Sequence, residues 1–291
     1  MDLKRFQNSK RAVTLPQGEI AYADIGSGPV ALFIHGVFMN SLLWGSVIDG
    51  VKDSRRCIAI DLPAHGDTRV SSDAPLSLAD HVDFIYAFLD ELGIDKIDLV
   101  GNDTGGAIAQ MFAVRYKHML RTLTLTNCDV NENFPPDAFK DTIELARRGE
   151  LAPVIAVIAT NMDAARSEAG LGLGYQWPER ISEDVVRAFL GRFADPEAAR
   201  ELERRIGSVA EVGLMAIEEE LKAFDVPTLV VWGTGDHFFD VEWAYWLRDN
   251  VPGVTEVVEI PEGKLFFVDE RADELIPHLA RHWAAHTPSE V

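Results

Sequence analysis

The residues with the clearest potential for chemistry surround Asp103. Segment 99–107 reads LVGNDTGGA, so an apolar run leads into a glycine-rich turn, and an apolar helical pattern begins directly after it. Small residues on both sides of a tight strand-to-helix turn let the central side chain project over the edge of a sheet. The N-terminus of the helix favours a negative charge there. We therefore predict that Asp103 is a reactive carboxylate, with an ordinary helix N-cap as the alternative.

The residue type limits the reaction that this turn can support. A carboxylate attacks a saturated carbon that bears a leaving group and forms an ester intermediate. The sequence contains no GxSxG pattern, which disfavours a serine esterase or lipase. The backbone N–H groups of Val37 and Thr104 are the expected donors to a developing negative charge.

Strands must end at these residues for the site to form. Short apolar runs predict strands, and longer stretches with helical periodicity lie between them. The predicted strands are 18–26, 30–35, 57–62, 97–101, 120–126, 226–232 and 256–260, and the clearest helices are 77–92, 104–116 and 273–286. This alternation predicts an α/β fold with a doubly wound, mostly parallel sheet.

One long stretch breaks the alternation. Residues 134–221 contain no convincing buried strand and are rich in Glu, Ala and Arg. A helical insertion between two strands is typical of a lid over an active site. We therefore predict a core domain formed by residues 1–133 and 222–291, and a helical cap formed by residues 134–221.

The order of these features resembles the α/β-hydrolase fold family. His35 and Gly36 end one strand, DLPAHG (61–66) follows the next, the turn at Asp103 comes third, and Asp236 ends a later strand. The resemblance implies a helical cap inserted after strand 6 of the family's sheet. An aspartate at the turn resembles the branch that holds haloalkane dehalogenases, epoxide hydrolases and fluoroacetate dehalogenases. It implies that Asp103 is the nucleophile and Asp236 its acid partner, with Asp129 as the alternative acid.

The sequence departs from that family pattern at the catalytic histidine. The loop after the last strand reads PEGKLFF (261–267), and Lys264 stands where the resemblance places the histidine. A protonated lysine would pair with Asp236 or Asp103, and it would not activate water. His237 is the possible replacement base, while His35 lies near the site in a structural position. The indole donors that would hold a leaving halide are also absent after Asp103, where Thr104 follows.

Three functions therefore stay open. The first is hydrolysis, at a carbon–halogen, epoxide or related bond, of a small to mid-sized apolar molecule in a pocket lined by Phe38, Trp177 and Phe238. The second is a lyase, cyclase or isomerase in which Asp103 and Lys264 exchange protons, because such a reaction needs no activated water. The third is a binding protein that has kept the fold and lost turnover.

Composition sets the broad limits. The chain has 291 residues, of which 47% are hydrophobic, and a formal net charge of −20. Such an acidic surface disfavours nucleic acid as a partner. Cys57 and Cys128 are predicted to be buried thiols, which suits a reducing compartment. We expect a cytoplasmic monomer or homodimer that binds a small molecule, with no cofactor, metal or membrane partner.

Overall fold

The computed structural model describes residues 3–71, 74–75, 77–209 and 213–286. Within these ranges the strands are β1 (Lys10–Leu15), β2 (Gly18–Gly26), β3 (Val30–Ile34), β4 (Arg56–Ile60), β5 (Arg69–Val70), β6 (Ile97–Asp103), β7 (Leu120–Cys128), β8 (Thr228–Gly233) and β9 (Val254–Ile260). The α-helices are α1 (Leu3–Asn8), α2 (Gly45–Val51), α3 (Leu78–Glu91), α4 (Thr104–Arg115), α5 (Lys140–Arg147), α6 (Leu151–Thr160), α7 (Met162–Arg166), α8 (Glu183–Leu190), α9 (Pro196–Gly207), α10 (Glu218–Lys222), α11 (Glu242–Asn250), α12 (Phe267–Glu270) and α13 (Ala272–His286).

The strands form one sheet in the order β1-β2-β4-β3-β6-β7-β8-β9, and the short β5 pairs with β2. Pairs that involve β2 are antiparallel, and the other pairs are parallel. The predicted α/β class with a mostly parallel sheet is confirmed. All seven predicted strands are present, while β1 and β5 were not predicted.

The strand order reverses at the centre of the sheet. Strand β3 pairs with β4 on one side and with β6 on the other, so successive crossovers leave β3 in opposite directions. A crevice opens at such a switch point, beyond the carboxyl ends of the strands. Val37 follows β3 and Asp103 ends β6, so both residues lie beside this crevice.

The central strands are buried because their apolar runs are covered on both faces. Every residue of β8 is buried, as are six of the seven residues of β6. Helix α3 begins with a capping box in which Ser77 and Asp80 bond to each other's backbone N–H groups, which satisfies donors at the exposed helix start. Cys57 and Cys128 are buried free thiols, as predicted.

The chain between β7 and β8 contains α5 to α10 and no strand among its described residues. We call residues 134–221 the cap segment. Arg192 connects the cap segment to the loop after β4. One of its guanidinium nitrogens donates to the carbonyl oxygens of His65, Gly66 and Thr68, at 3.3, 3.1 and 2.6 Å. The division into a core domain and a cap domain stays a prediction.

Within the described ranges, every helix is too short or too polar to cross a lipid bilayer.

Candidate active site

The turn at Asp103 is a strained junction between β6 and α4. Asp103 has φ = +57°, a left-handed conformation that costs energy for a residue with a side chain. Gly101 and Gly105, two residues away on either side, allow the turn because they lack side chains. A Cβ on Gly101 would lie 2.6 Å from the carbonyl oxygen of Gly105, and one on Gly105 would lie 2.4 Å from that of Ile34. The predicted role of the flanking glycines is therefore visible in the backbone packing.

The Asp103 carboxylate lies against the end of β3. Its Oδ2 accepts a hydrogen bond of 2.9 Å from the backbone N–H of Val37. Gly36 makes this approach possible, since a Cβ there would be 2.1 Å from the same oxygen. Burial raises the pKa of Asp103 from 3.8 to about 7, and the backbone N–H groups of Thr104 and Val37 oppose that rise. Asp103 is half-buried and lines the cavity described next.

A cavity of about 260 Å³ lies over Asp103. The described part of its wall is mostly apolar and comes from both the core and the cap segment. The lining residues are Val37, Phe38, Asp103, Thr104, Asp129, Phe134, Pro135, Pro136, Ala138, Phe139, Thr142, Glu168, Ala169, Gly170, Leu171, Leu173, Gly174, Val209, Phe238, Phe239, Leu265 and Phe266. A larger groove, of about 630 Å³, lies beside Arg192 and contains none of the predicted catalytic residues.

Asp129 is brought to the same cavity as Asp103. Strands β6 and β7 are parallel neighbours in which Asp103 is paired with Cys128, so Asp129 follows directly at the strand end. Asp129 is 1% exposed, and its Oδ2 is buried without a hydrogen-bond partner among the described residues. Burial, followed by the charge of Asp103, holds the pKa of Asp129 well above its ordinary value. These observations indicate a carboxyl group that keeps its proton.

Asp236 lies in the loop after β8, at the position predicted for the acid partner. Its Oδ2 accepts a 2.6 Å hydrogen bond from Nδ2 of Asn127, and its Oδ1 accepts a 2.8 Å bond from the backbone N–H of Phe238. Burial raises the pKa of Asp236 to about 7 although these donors favour its charged form. The amide of Asn127 and the backbone N–H of Phe238 thus supply hydrogen bonds to both oxygens of this carboxylate.

Lys264, predicted as the third member of the site, is not among the residues that line the described cavity. Lys264 is half-buried and outside the described cavity wall, and the carboxylates of Asp103 and Asp236 take their hydrogen bonds from other groups. Leu265, the next residue, lines the cavity instead. The loop is fixed in this register because Asn102 donates to the Leu265 carbonyl at 3.0 Å, and the Phe266 N–H donates to the Gly174 carbonyl at 2.8 Å.

The predicted histidines are not among the residues that line the cavity. His35 is buried, accepts a 2.9 Å hydrogen bond from the backbone N–H of Leu62 through Nε2, and places Nδ1 2.7 Å from the carbonyl of Gly36. Burial lowers the pKa of His35 to about 4, so it stays neutral and structural. His237 is exposed, with its ring edge-on to Phe238 at 5.6 Å. Neither histidine belongs to the described cavity wall.

Two of the three predicted pocket residues line the cavity. Phe38 and Phe238 are in its wall, and Trp177 is not. Trp177 is held elsewhere, because its backbone N–H donates to Glu270 at 2.7 Å and the guanidinium of Arg180 stacks 4.3 Å from its ring.

Sequence reasoning missed Arg205, a buried cation on α9. Arg205 is 3% exposed, and its Nε has no hydrogen-bond partner among the described residues. Burial lowers the pKa of Arg205 to about 10, while the negative charges of Asp129 and Asp103 act in the opposite direction. Spacing could have found it, because Arg205 follows Leu202 by three residues and both lie on the buried side of α9.

Comparisons with known proteins agree with this fold. The family model described as alpha/beta hydrolase fold matches residues 29–271. A monoacylglycerol lipase from Xenopus laevis is 24% identical over 80% of this chain and 69% of its own length. A cis-3-alkyl-4-alkyloxetan-2-one decarboxylase from Shewanella oneidensis is 24% identical over 92% of this chain and 86% of its own length. The crystal structure of a haloalkane dehalogenase from Bradyrhizobium elkani superposes with a TM-score of 0.79 at 22% identity, over 95% of this chain and 99% of that one.

Proposed function

Because the chain belongs to the alpha/beta hydrolase fold family, we propose that it is an enzyme whose nucleophile is Asp103. The substrate is a small, largely apolar organic molecule with an electrophilic carbon. The observation that carries this proposal is the Asp103 carboxylate itself, which projects from a strained turn into an apolar cavity. A strained residue persists only where the surrounding structure holds it, which is typical of functional sites.

The geometry supports the attack step. One carboxylate oxygen of Asp103 is held by the Val37 N–H at 2.9 Å, and the other is left for the substrate carbon. When the ester forms, the same N–H faces the carbonyl oxygen of the ester, where it would stabilise negative charge during ester cleavage. The cavity of about 260 Å³ limits the substrate to a small molecule.

The release step separates two candidate reactions. Hydrolysis of the Asp103 ester requires a base that activates water, and no histidine belongs to the described cavity wall. A hydrolase remains the first candidate because its first step is the one that this site supports. A lyase is the second candidate, since neither a histidine nor a lysine belongs to the described cavity wall and one relative is named as an oxetanone decarboxylase.

The test is intact-protein mass spectrometry after rapid mixing with a panel of epoxides and iodoalkanes. We expect the wild-type mass to increase by one alkyl group and the Asp103→Asn variant to stay unmodified, because an amide oxygen is a poor nucleophile. Peptide mapping should place the adduct on Asp103. If no probe gave an adduct or a product, the nucleophile proposal would be wrong, and the ligand-binding alternative would replace it.

Turnover in ¹⁸O-labelled water distinguishes the two candidates. A hydrolase that works through an Asp103 ester incorporates the label into Asp103 during its first turnover, and into the product afterwards. A lyase releases a product without oxygen from the solvent. Label in neither the product nor Asp103, combined with substrate consumption, therefore favours the lyase.

A further inference from the structure

The cavity contains a second carboxyl group that the proposed attack by Asp103 does not use. Asp129 lines the cavity beside Asp103, at the end of the neighbouring strand. Its backbone carbonyl accepts a 2.8 Å hydrogen bond from Nε2 of the buried Gln110, so the residue is fixed in place. An ordinary capping or turn residue would have its oxygens satisfied, but Oδ2 of Asp129 has no partner among the described residues.

We propose that Asp129 is a second catalytic carboxyl, which gives its proton to the leaving oxygen of a strained cyclic ether or cyclic ester while Asp103 attacks the adjacent ring carbon. This inference rests on the proposed function and narrows its substrate class to small oxygen heterocycles.

The charge balance of the site supports this role. Two buried carboxylates side by side would repel each other, so the Asp103–Asp129 pair holds one proton and one negative charge. The buried cation of Arg205 acts on both residues. As the reaction proceeds, an Asp103 oxygen forms a bond to the ring carbon and the ring C–O bond breaks with its electron pair on oxygen. That oxygen takes the proton of Asp129, and the single negative charge moves from Asp103 to Asp129.

The same residue can complete the turnover. The Asp129 carboxylate accepts a proton from a water molecule that attacks the carbonyl carbon of the Asp103 ester. Collapse of the tetrahedral intermediate breaks the bond to the alkyl oxygen, which takes the proton left on Asp103. Asp103 is then a carboxylate and Asp129 an acid again, so atoms and charge balance without a histidine.

A halide leaving group fits this cavity less well. A halide leaves as an anion and is not protonated by a carboxylic acid, so it needs N–H donors. The described cavity wall has no Trp, Asn, Gln, His, Lys or Arg. The hydroxyl of Tyr175, the tyrosine of the cap segment, donates to Asp269 at 2.9 Å and is committed outside this wall. Besides that of Asp103, the described wall holds two carboxyl groups, those of Asp129 and the exposed Glu168. Asp129 follows the residue that is paired with Asp103, so it is the acid placed beside the attacking carboxylate.

The experiment compares two probes on two proteins. The rate of adduct formation on Asp103 is measured with a terminal epoxide, which needs a proton donor, and with a 1-iodoalkane of equal chain length, which does not. In Asp129→Asn we expect the epoxide rate to fall about 100-fold, as for loss of a general acid, and the iodoalkane rate to stay within about threefold. Alkylation by the iodoalkane also shows that the variant is folded.

The outcomes separate the two proposals. Equal epoxide rates in the wild type and in Asp129→Asn would overturn the role of Asp129, while the nucleophile proposal would stand. A wild type that gave neither an adduct nor a product with either probe would overturn the nucleophile proposal itself.

If Asp129→Asn fails to fold, the wild-type pH profile gives the answer. The charges of Asp103 and Arg205 act on Asp129, and the charge of Asp236 acts on Asp103. Asp129 itself acts on the neighbouring thiol of Cys128, and Glu168 lines the same cavity. The epoxide rate should rise and then fall with pH, because it needs one carboxylate and one acid, and the iodoalkane rate should rise to a plateau. Two profiles of the same shape would contradict the proposal.

Discussion

Replacing Asp103 with asparagine should stabilise the protein, and the gain should depend on pH. A rise in pKa from 3.8 to about 7 means that the folded state holds a proton that the unfolded state releases between these pH values. Wild-type stability therefore falls as the pH rises through this window. At about 1.36 kcal/mol per pH unit, the full effect is at most about 4 kcal/mol. Asparagine keeps an oxygen for the Val37 N–H and has no charge to bury.

Thermal unfolding at several pH values measures this effect. The gain of Asp103→Asn over the wild type should be small at pH 4 and complete above pH 7. With ~2.1 cal/mol/K of unfolding entropy per residue, about 4 kcal/mol corresponds to a Tm increase of about 6 °C for this chain. Asp53→Asn, which removes an exposed carboxylate, is the matched control. Equal gains at pH 4 and pH 8, or no gain at pH 8, would refute the reasoning.

Three further substitutions test the site. Leu265→His should speed release of the Asp103 adduct about 100-fold, because it adds a base to the cavity wall. Lys264→His should not speed this release. A time course by mass spectrometry measures both variants, and equal effects would contradict the assigned positions. Gly36→Ala puts a Cβ 2.1 Å from Oδ2 of Asp103 and should slow adduct formation about 100-fold. Gly45→Ala is the control, because the nearest contact of its added Cβ is at 3.4 Å. An unchanged rate in Gly36→Ala would show that the carboxylate does not need this position. Arg205→Met removes a positive charge that lowers the pKa of Asp103. The rate of reaction with the iodoalkane should therefore reach half its plateau at a higher pH. A pH profile that stayed in place or moved to lower pH would count against the electrostatic role of Arg205.

The strands at the centre of the sheet could be predicted from their continuous apolar runs. Strands β6 and β8 are buried along almost their whole length, and burial on both faces leaves a direct trace in the sequence. Strand β1 is an edge strand in which only Leu15 is buried, and β5 has two residues. Such segments carry little hydrophobic signal, and their pairing depends on β2 being in place.

The site could be predicted where its geometry is local. Asp103 is displayed by a turn whose glycines lie within a few residues of it, so the pattern in the sequence is sufficient. The position after β9 is different, because tertiary hydrogen bonds from Asn102 and to Gly174 fix the loop. These contacts hold the backbone at Leu265 and Phe266, which both line the cavity. They join parts of the chain that are far apart in sequence, so no local pattern records them.

The turn at Asp103 separates the placement of the reactive group from its chemical identity. The glycines at 36, 101 and 105 fix the backbone path, and they carry no functional group themselves. A different side chain at position 103 would therefore project to the same point in the cavity. Asp103→Ser or Asp103→Cys would present a hydroxyl or a thiol there without rebuilding the sheet. In evolutionary terms, a single codon can change which nucleophile this turn presents, whereas the glycines around it can hardly change.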